Sequence, residues 1–186
     1  MADELHPGRP LGDWLDAVAS ERPLPAGGHV AAVVTAFAAG LVEKVARIVR
    51  GAPGRAALHP IADQVLERVA SLRPALLALG AADDRAYALL METRRADEAA
   101  YAEARVGAAR TQSDLVEQAA AVAHLAAELE TRVGPALRAD VATARLLAVA
   151  AARAALGNVH ANLGTLDGAA VERMRKVTAE AVERLP

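Results

Sequence analysis

The chain has no cysteine among its 186 residues. That excludes a disulfide framework and any thiolate-ligated metal site. Aromatic residues are almost as scarce: Trp14, Phe37, Tyr87 and Tyr101 are the whole set, 2% of the sequence. So few scattered rings cannot form the stacking platforms of single-strand nucleic-acid binders, and a formal net charge of -2 supplies no basic excess for a phosphate backbone. No nucleic-acid partner is expected. Long apolar runs are missing too. The longest, residues 30–42, falls short of the roughly 20 residues that a bilayer-spanning helix needs, and Glu43, Lys44, Arg47 and Arg50 close it off. The opening MADELHPGRP lacks the basic and apolar regions of a secretory signal. These absences predict a soluble, cytoplasmic protein with no membrane partner.

What the chain does have is Ala, Leu and Val, which carry most of a hydrophobic fraction of 54%. Alanine loses no side-chain entropy in a helix and lets neighbouring helices approach closely. There is no strand-like alternation, no repeat at a fixed period and no interdomain linker. The expectation is one all-α domain over residues 1–186, a bundle of six or seven helices. A short amphipathic helix over 11–20 is followed by long ones over 28–50 and 61–79, the latter kinked at Pro74 and stopped by Gly80. Asp83 or Asp84 would N-cap the next helix, through about residue 95. Further helices are predicted over 97–132, 137–163 and 168–185, separated by Gly134-Pro135 and a Gly-containing turn. The small apolar residues exceed what one thin bundle can hide, so a homodimer is expected.

Three stretches could carry chemistry. In Pro25-Ala26-Gly27-Gly28-His29 the glycine pair opens a wholly apolar helix. It reads either as a turn with tight packing, or as a helix N-terminus whose free N–H groups and positive dipole end receive a ligand oxygen, with His29 lining the site. Asp83-Asp84 reads either as a helix cap or as a general acid/base that can also hydrogen-bond a heterocycle bearing adjacent N–H donors. Asn158 and Asn162, four apart in NVHANL, share one helix face, where they bond either a neighbouring helix or a ligand. Arg138, Arg145, Arg153 and His160 form a stripe that reads first as a solvated face. No metal site is suggested: His124 and Glu128 have helical spacing but no third ligand.

Taken in order, these features resemble the cyclodeaminase/methenyltetrahydrofolate cyclohydrolase family, the helical domain also found as the C-terminal half of formiminotransferase-cyclodeaminase. The family's Pro-Gly-Gly-Gly-Ser segment leading into an Ala-rich helix is PAGGHVAAVVTAF here, with Ala26 for the first glycine and His29 for the serine. Its aspartate followed by Ala-Phe and Val-Met is matched in spacing by Asp83, Ala86, Tyr87, Leu90 and Met91. Its late aspartate and Asn-Val-x-x-Asn-Leu are matched by Asp140 and NVHANL. The resemblance covers nearly the whole chain. It implies a dimeric all-α enzyme that acts on a one-carbon tetrahydrofolate and needs no metal or other cofactor. It also implies Asp83 or Asp84 as the catalytic carboxylate, and Gly27, Gly28, His29, Asp140, Asn158 and Asn162 as the substrate-binding residues. The alternative is a non-catalytic relative that keeps the dimeric bundle as a ligand-binding or protein-interaction module.

Overall fold

The computed structural model of the protein describes residues 10–186. Among these residues the secondary structure is helical: α1 (Leu11–Ala19), α2 (Gly27–Arg50), α3 (His59–Thr93), α4 (Glu98–Glu130), α5 (Pro135–Leu163) and α6 (Ala169–Glu183), with a short 3-10 turn at Pro53–Leu58. Connections of a few residues join α2 through α5, which therefore run up and down as antiparallel neighbours. They form a ring in which α2 packs on α3 and α5, and α4 on α3 and α5. α6 lies against α4 and α5. None of the described helices is long and apolar enough to cross a membrane.

The core follows from the composition. Ala32, Ala38, Ala39, Val42, Ala46 and Val49 form the inner stripe of α2, and Val65, Val69 and Leu76 that of α3. Leu115, Val122 and Leu129 of α4 meet Val141, Ala144, Ala148 and Ala155 of α5. With so many alanines at the contacts, the helix axes can close to the short end of the roughly 8–10 Å range. A smaller apolar cluster of Ala109, Val159, Leu163 and Val171 seats α6, and a 2.8 Å hydrogen bond between Ser113 and Thr178 ties it down.

Two sequence expectations need correction. The segments over 61–79 and 83–95 are one continuous helix of 35 residues. Gly80 does not stop it, and Asp83 and Asp84 do not cap anything along their own chain direction. Pro74 does not divide α3; it lies inside the helix, where its missing N–H leaves one backbone carbonyl without a helical donor. The cap that does form is Asp97, whose carboxylate accepts from the N–H of Ala99 at 2.8 Å and of Ala100 at 3.4 Å, opening α4.

Helix α1 stands apart. None of its residues is buried, and Leu11 and Leu15 are about three-fifths exposed. One tie to the bundle is Trp14, whose ring meets the His29 ring edge-on with centroids 4.9 Å apart.

Leu76 is fully enclosed on the inner face of α3. Leu76→Ala is expected to cost about 2–5 kcal/mol, the range for a large-to-small change that leaves a cavity. Chemical denaturation of the two forms measures it.

Candidate functional site

The N-terminus of α2 is where the helices bring polar groups together. Its first residue is Gly27, and its N-cap, Ala26, has no side chain able to accept a hydrogen bond. The first N–H groups of a helix have no partners within it. The Asp83 carboxylate from α3 comes up against this terminus, where the backbone N–H of His29 faces it and favours its charged form. Gln112 of α4, 1% exposed, donates its Nε2–H to Asp83 Oδ1 at 2.5 Å. Its Oε1 accepts from Nδ2 of Asn158 on α5 at 3.3 Å. The amide of Gln112 is thereby oriented from both ends, and four helices contribute to one connected network.

Asp84 adds a second branch. Its Oδ2 lies 2.7 Å from Nδ1 of His29, whose ring is 3% exposed. With Asp84 as a carboxylate, the proton of that bond belongs to His29 Nδ1, which donates. The other oxygen, Asp84 Oδ1, is buried and has no hydrogen-bond partner among the described residues. A buried carboxylate oxygen left without a donor is costly, and it marks a place where an incoming N–H or O–H would be welcomed.

Burial pushes the Asp83 carboxyl above its ordinary value. The Gln112 hydrogen bond opposes the shift, and the neighbouring Asp84 charge adds to it. A carboxyl moved upward in this way is a better proton carrier near neutral pH than an exposed one.

Two glycines make the arrangement possible. A Cβ on Gly28 would sit on Gln112 Nε2 and 2.5 Å from Asp83 Oδ2. A Cβ on Gly80 would lie 2.5 Å from Cδ2 of His29. Gly80 is thus placed in mid-helix so that the imidazole can lie against the α3 backbone. Gly27, by contrast, is exposed and faces open space.

Of the residues expected from sequence, Gly28, His29, Asp83, Asp84 and Asn158 therefore converge. Gly28 serves this convergence by yielding its space to protein side chains. Asn162 lies one turn beyond Asn158; its backbone carbonyl accepts from Arg105 Nε at 2.8 Å, and Arg105 Nη2 donates to the Leu163 carbonyl at 2.9 Å. Arg105 caps the C-terminus of α5, where a cation is favoured, and so holds the turn that carries both asparagines. Asp140 does not join the site. It is 18 residues from Asn158 on the same helix, about 27 Å at 1.5 Å per residue, and it pairs with Lys44 Nζ at 2.7 Å. The arginine stripe does not converge either, with Arg145 paired to Glu130 at 2.7 Å. Among the described residues no three His, Asp or Glu side chains group as a metal site would require. Sequence reasoning missed Gln112, Gly80, Arg105 and Trp14.

The two tight glycines generate a test. Alanine is the better helix former by about 1 kcal/mol, so Gly107→Ala, where nothing lies within 4 Å of the new Cβ, is expected to stabilise the protein. Gly80→Ala and Gly28→Ala are expected to destabilise it by about 1–3 kcal/mol, the usual cost of overpacking. Thermal melts of the three variants compare these directly.

Comparison with known proteins places this geometry in context. Residues 10–181 match the model of the family described as formiminotransferase-cyclodeaminase. A crystal structure of formiminotetrahydrofolate cyclodeaminase from Thermotoga maritima superposes with a TM-score of 0.87 at 25% identity, covering 95% of this chain and 91% of that one. No curated protein matches the sequence. The family match takes in α1 through most of α6, and with it every residue of the polar network: the chain belongs to the formiminotransferase-cyclodeaminase family.

Proposed function

We propose that the protein is a folate one-carbon enzyme, a lyase or hydrolase of the cyclodeaminase or cyclohydrolase type, working in the cytoplasm on a tetrahydrofolate that carries a one-carbon unit. The observation that carries this reading is the side-by-side carboxylate pair of α3. Asp83 is held above its ordinary value, and Asp84 presents a buried oxygen with no partner among the described residues. A reduced pterin offers adjacent N–H donors to such an oxygen.

In the cyclodeaminase direction N10 attacks the formimino carbon borne on N5, and the bond from that carbon to the departing nitrogen breaks as ammonia leaves. In the cyclohydrolase direction water adds to the methenyl bridge and one carbon–nitrogen bond opens. Both routes pass through a tetrahedral carbon between two nitrogens, and both move a proton off the attacking atom and onto the leaving nitrogen. Asp83 is assigned that transfer, and Asp84 the contact to the pterin, with His29 holding its carboxylate in place. Gln112 and Asn158 fix Asp83, and Asn162 orients polar atoms of the substrate. Addition, elimination and proton transfer need no resident metal or redox cofactor.

A second reading is favoured by one observation. Where the resembling pattern has a serine, the buried His29 ring fills the space beside Gly80. A relative that binds folate without turning it over would fit that substitution.

The same proposal includes a homodimer. Leu89, Met91 and Leu146 stand 43–60% exposed on the outer faces of α3 and α5, apolar surface that a second copy would cover. Sedimentation at micromolar concentration is expected to show a dimer.

For activity, Asp83→Asn keeps the shape and the Gln112 contact but removes the ionisable group. Formation of methenyl-tetrahydrofolate from the formimino compound, and hydrolysis of the methenyl compound, are expected to fall about 10²-fold or more, the scale of a lost general acid/base. Turnover at the wild-type rate would remove Asp83 from the mechanism; folate binding by the wild type with neither reaction would select the second reading.

The same substitution tests the electrostatics. A carboxyl with a raised folded value binds its proton more tightly in the native state than in the unfolded chain. The native advantage is present below the ordinary value of 3.8 and is lost as pH rises through the raised folded value. Across that window the wild type is expected to lose stability relative to Asp83→Asn, measured as the difference in melting temperature against pH.

A further inference from the structure

Between α1, α2 and α3 runs an open groove of about 850 Å³, within the 300–1,000 Å³ range of small-molecule sites. Its floor and walls include Leu15, Val34, Phe37, Pro74 and Leu77. Phe37 is 57% and Leu15 61% exposed, an unusual outlay of large apolar surface for a chain with so few aromatics.

The two ends of the groove differ in charge. Trp14 lines one end and is the residue that meets His29 edge-on. Leu77 lies nearly one turn before Gly80, against which the His29 ring packs. This end of the groove therefore lies beside His29, the residue that bonds Asp84, with the Trp14 ring between the two. Glu43 and Arg73 line the other end. Glu43 Oε2 accepts from Arg73 Nη1 at 2.7 Å, and Glu43 Oε1 accepts from Arg47 Nε at 3.0 Å and Nη2 at 2.6 Å. Two guanidinium groups share one carboxylate, so this end keeps a net positive charge. Arg73 is 54% exposed and has donors to spare beyond the one given to Glu43. Pro74 has no N–H, so the Ala70 carbonyl lacks its helical donor, and both residues line the groove.

We propose that this groove binds the benzoylglutamate arm of the tetrahydrofolate whose pterin meets Asp84, with Arg73 receiving the arm's carboxylate. This rests on the folate reading above. The sequence of chemistries matches along the length: carboxylates for the N–H donors of the pterin, an apolar trough for a flat aryl ring, and a guanidinium for the acidic tail. From His29 to Glu43 is 14 residues of α2, about 21 Å at 1.5 Å per residue, long enough for those parts laid end to end. A second copy of the chain would need to match both the trough and its cationic end, which an apolar helix face does not do.

The test uses two stable probes, 5-formyltetrahydrofolate and a 5-formyl-6-methyltetrahydropterin that lacks the arm, titrated by calorimetry into wild type, Arg73→Gln and Val34→Trp. Circular dichroism checks that each variant is folded; Arg73 is exposed enough to be replaced safely even if the filled groove of Val34→Trp is not tolerated. The arm-bearing probe is expected to bind wild type at least about tenfold tighter than the armless one. Arg73→Gln is expected to remove about tenfold of its affinity and much of its salt dependence, on the scale of one charge-assisted hydrogen bond, with no effect on the armless probe. Val34→Trp is expected to weaken only the arm-bearing probe. If both probes bind wild type equally, or the folded variants bind the arm-bearing probe within twofold of wild type, the groove is not the arm's site while the folate reading stands. If sedimentation shows that Val34→Trp or Phe37→Asp splits a wild-type dimer, the groove belongs to a second copy and the proposal fails. If wild type binds neither probe, the folate reading itself falls and takes the groove with it.

Discussion

The carboxylate of Asp83 sits where the open N-terminus of α2 meets α3 and α4, and the rest of the site is arranged around keeping it there. It faces the His29 N–H that α2 cannot satisfy internally, and it takes the Gln112 amide at 2.5 Å. Both contacts require Gly28 to be bare. Because the α2 terminus and a buried amide enclose it, Asp83 is taken out of water, and that burial is what pushes its titration upward. One packing decision therefore sets the helix register, the identity of a glycine and the chemistry of an acid.

The frame that holds this contact is stiff for an elementary reason. Every polar group of the network comes from a helix of 24 residues or more, and none from a connecting loop. The alanine stripes that let these helices close on one another also leave few rotamers to choose among, since alanine has none to lose. Sites carried on packed helices hold their geometry more tightly than sites carried on loops. Arg105 extends this to the end of α5, where the helix would otherwise fray just beyond its asparagines.

Much of this was legible in the sequence, and the failures share a cause. Alanine richness and the Gly-Pro breaks marked the helices, and PAGGH, the paired aspartates and NVHANL marked three walls of the site. Gly80 was read as a stop because, locally, a glycine at the end of an apolar run is one. Only the arrival of His29 from another helix explains why a glycine stands there in mid-helix. Asp83 and Asp84 looked like caps for the same reason, once a helix end had been placed before them. Asp83 does face a helix terminus, but that of α2. Gln112, in the charged run TQSDLVEQ, carried no local signal at all, since a buried glutamine and an exposed one look alike until their neighbours are known. Asp140 entered by resemblance alone and lies at the other end of α5, paired with Lys44.

The single tryptophan of the chain rests on the imidazole of this network. Any intrinsic indole emission is therefore single-source, with no second ring to dilute it. Its wavelength and intensity register whether α1 is docked, since Trp14 ties that helix to the bundle at His29, and they register the environment of His29 at the same moment. The protein thus carries its own optical gauge at the junction of arm helix and polar cluster, readable without a label and in the unmodified chain.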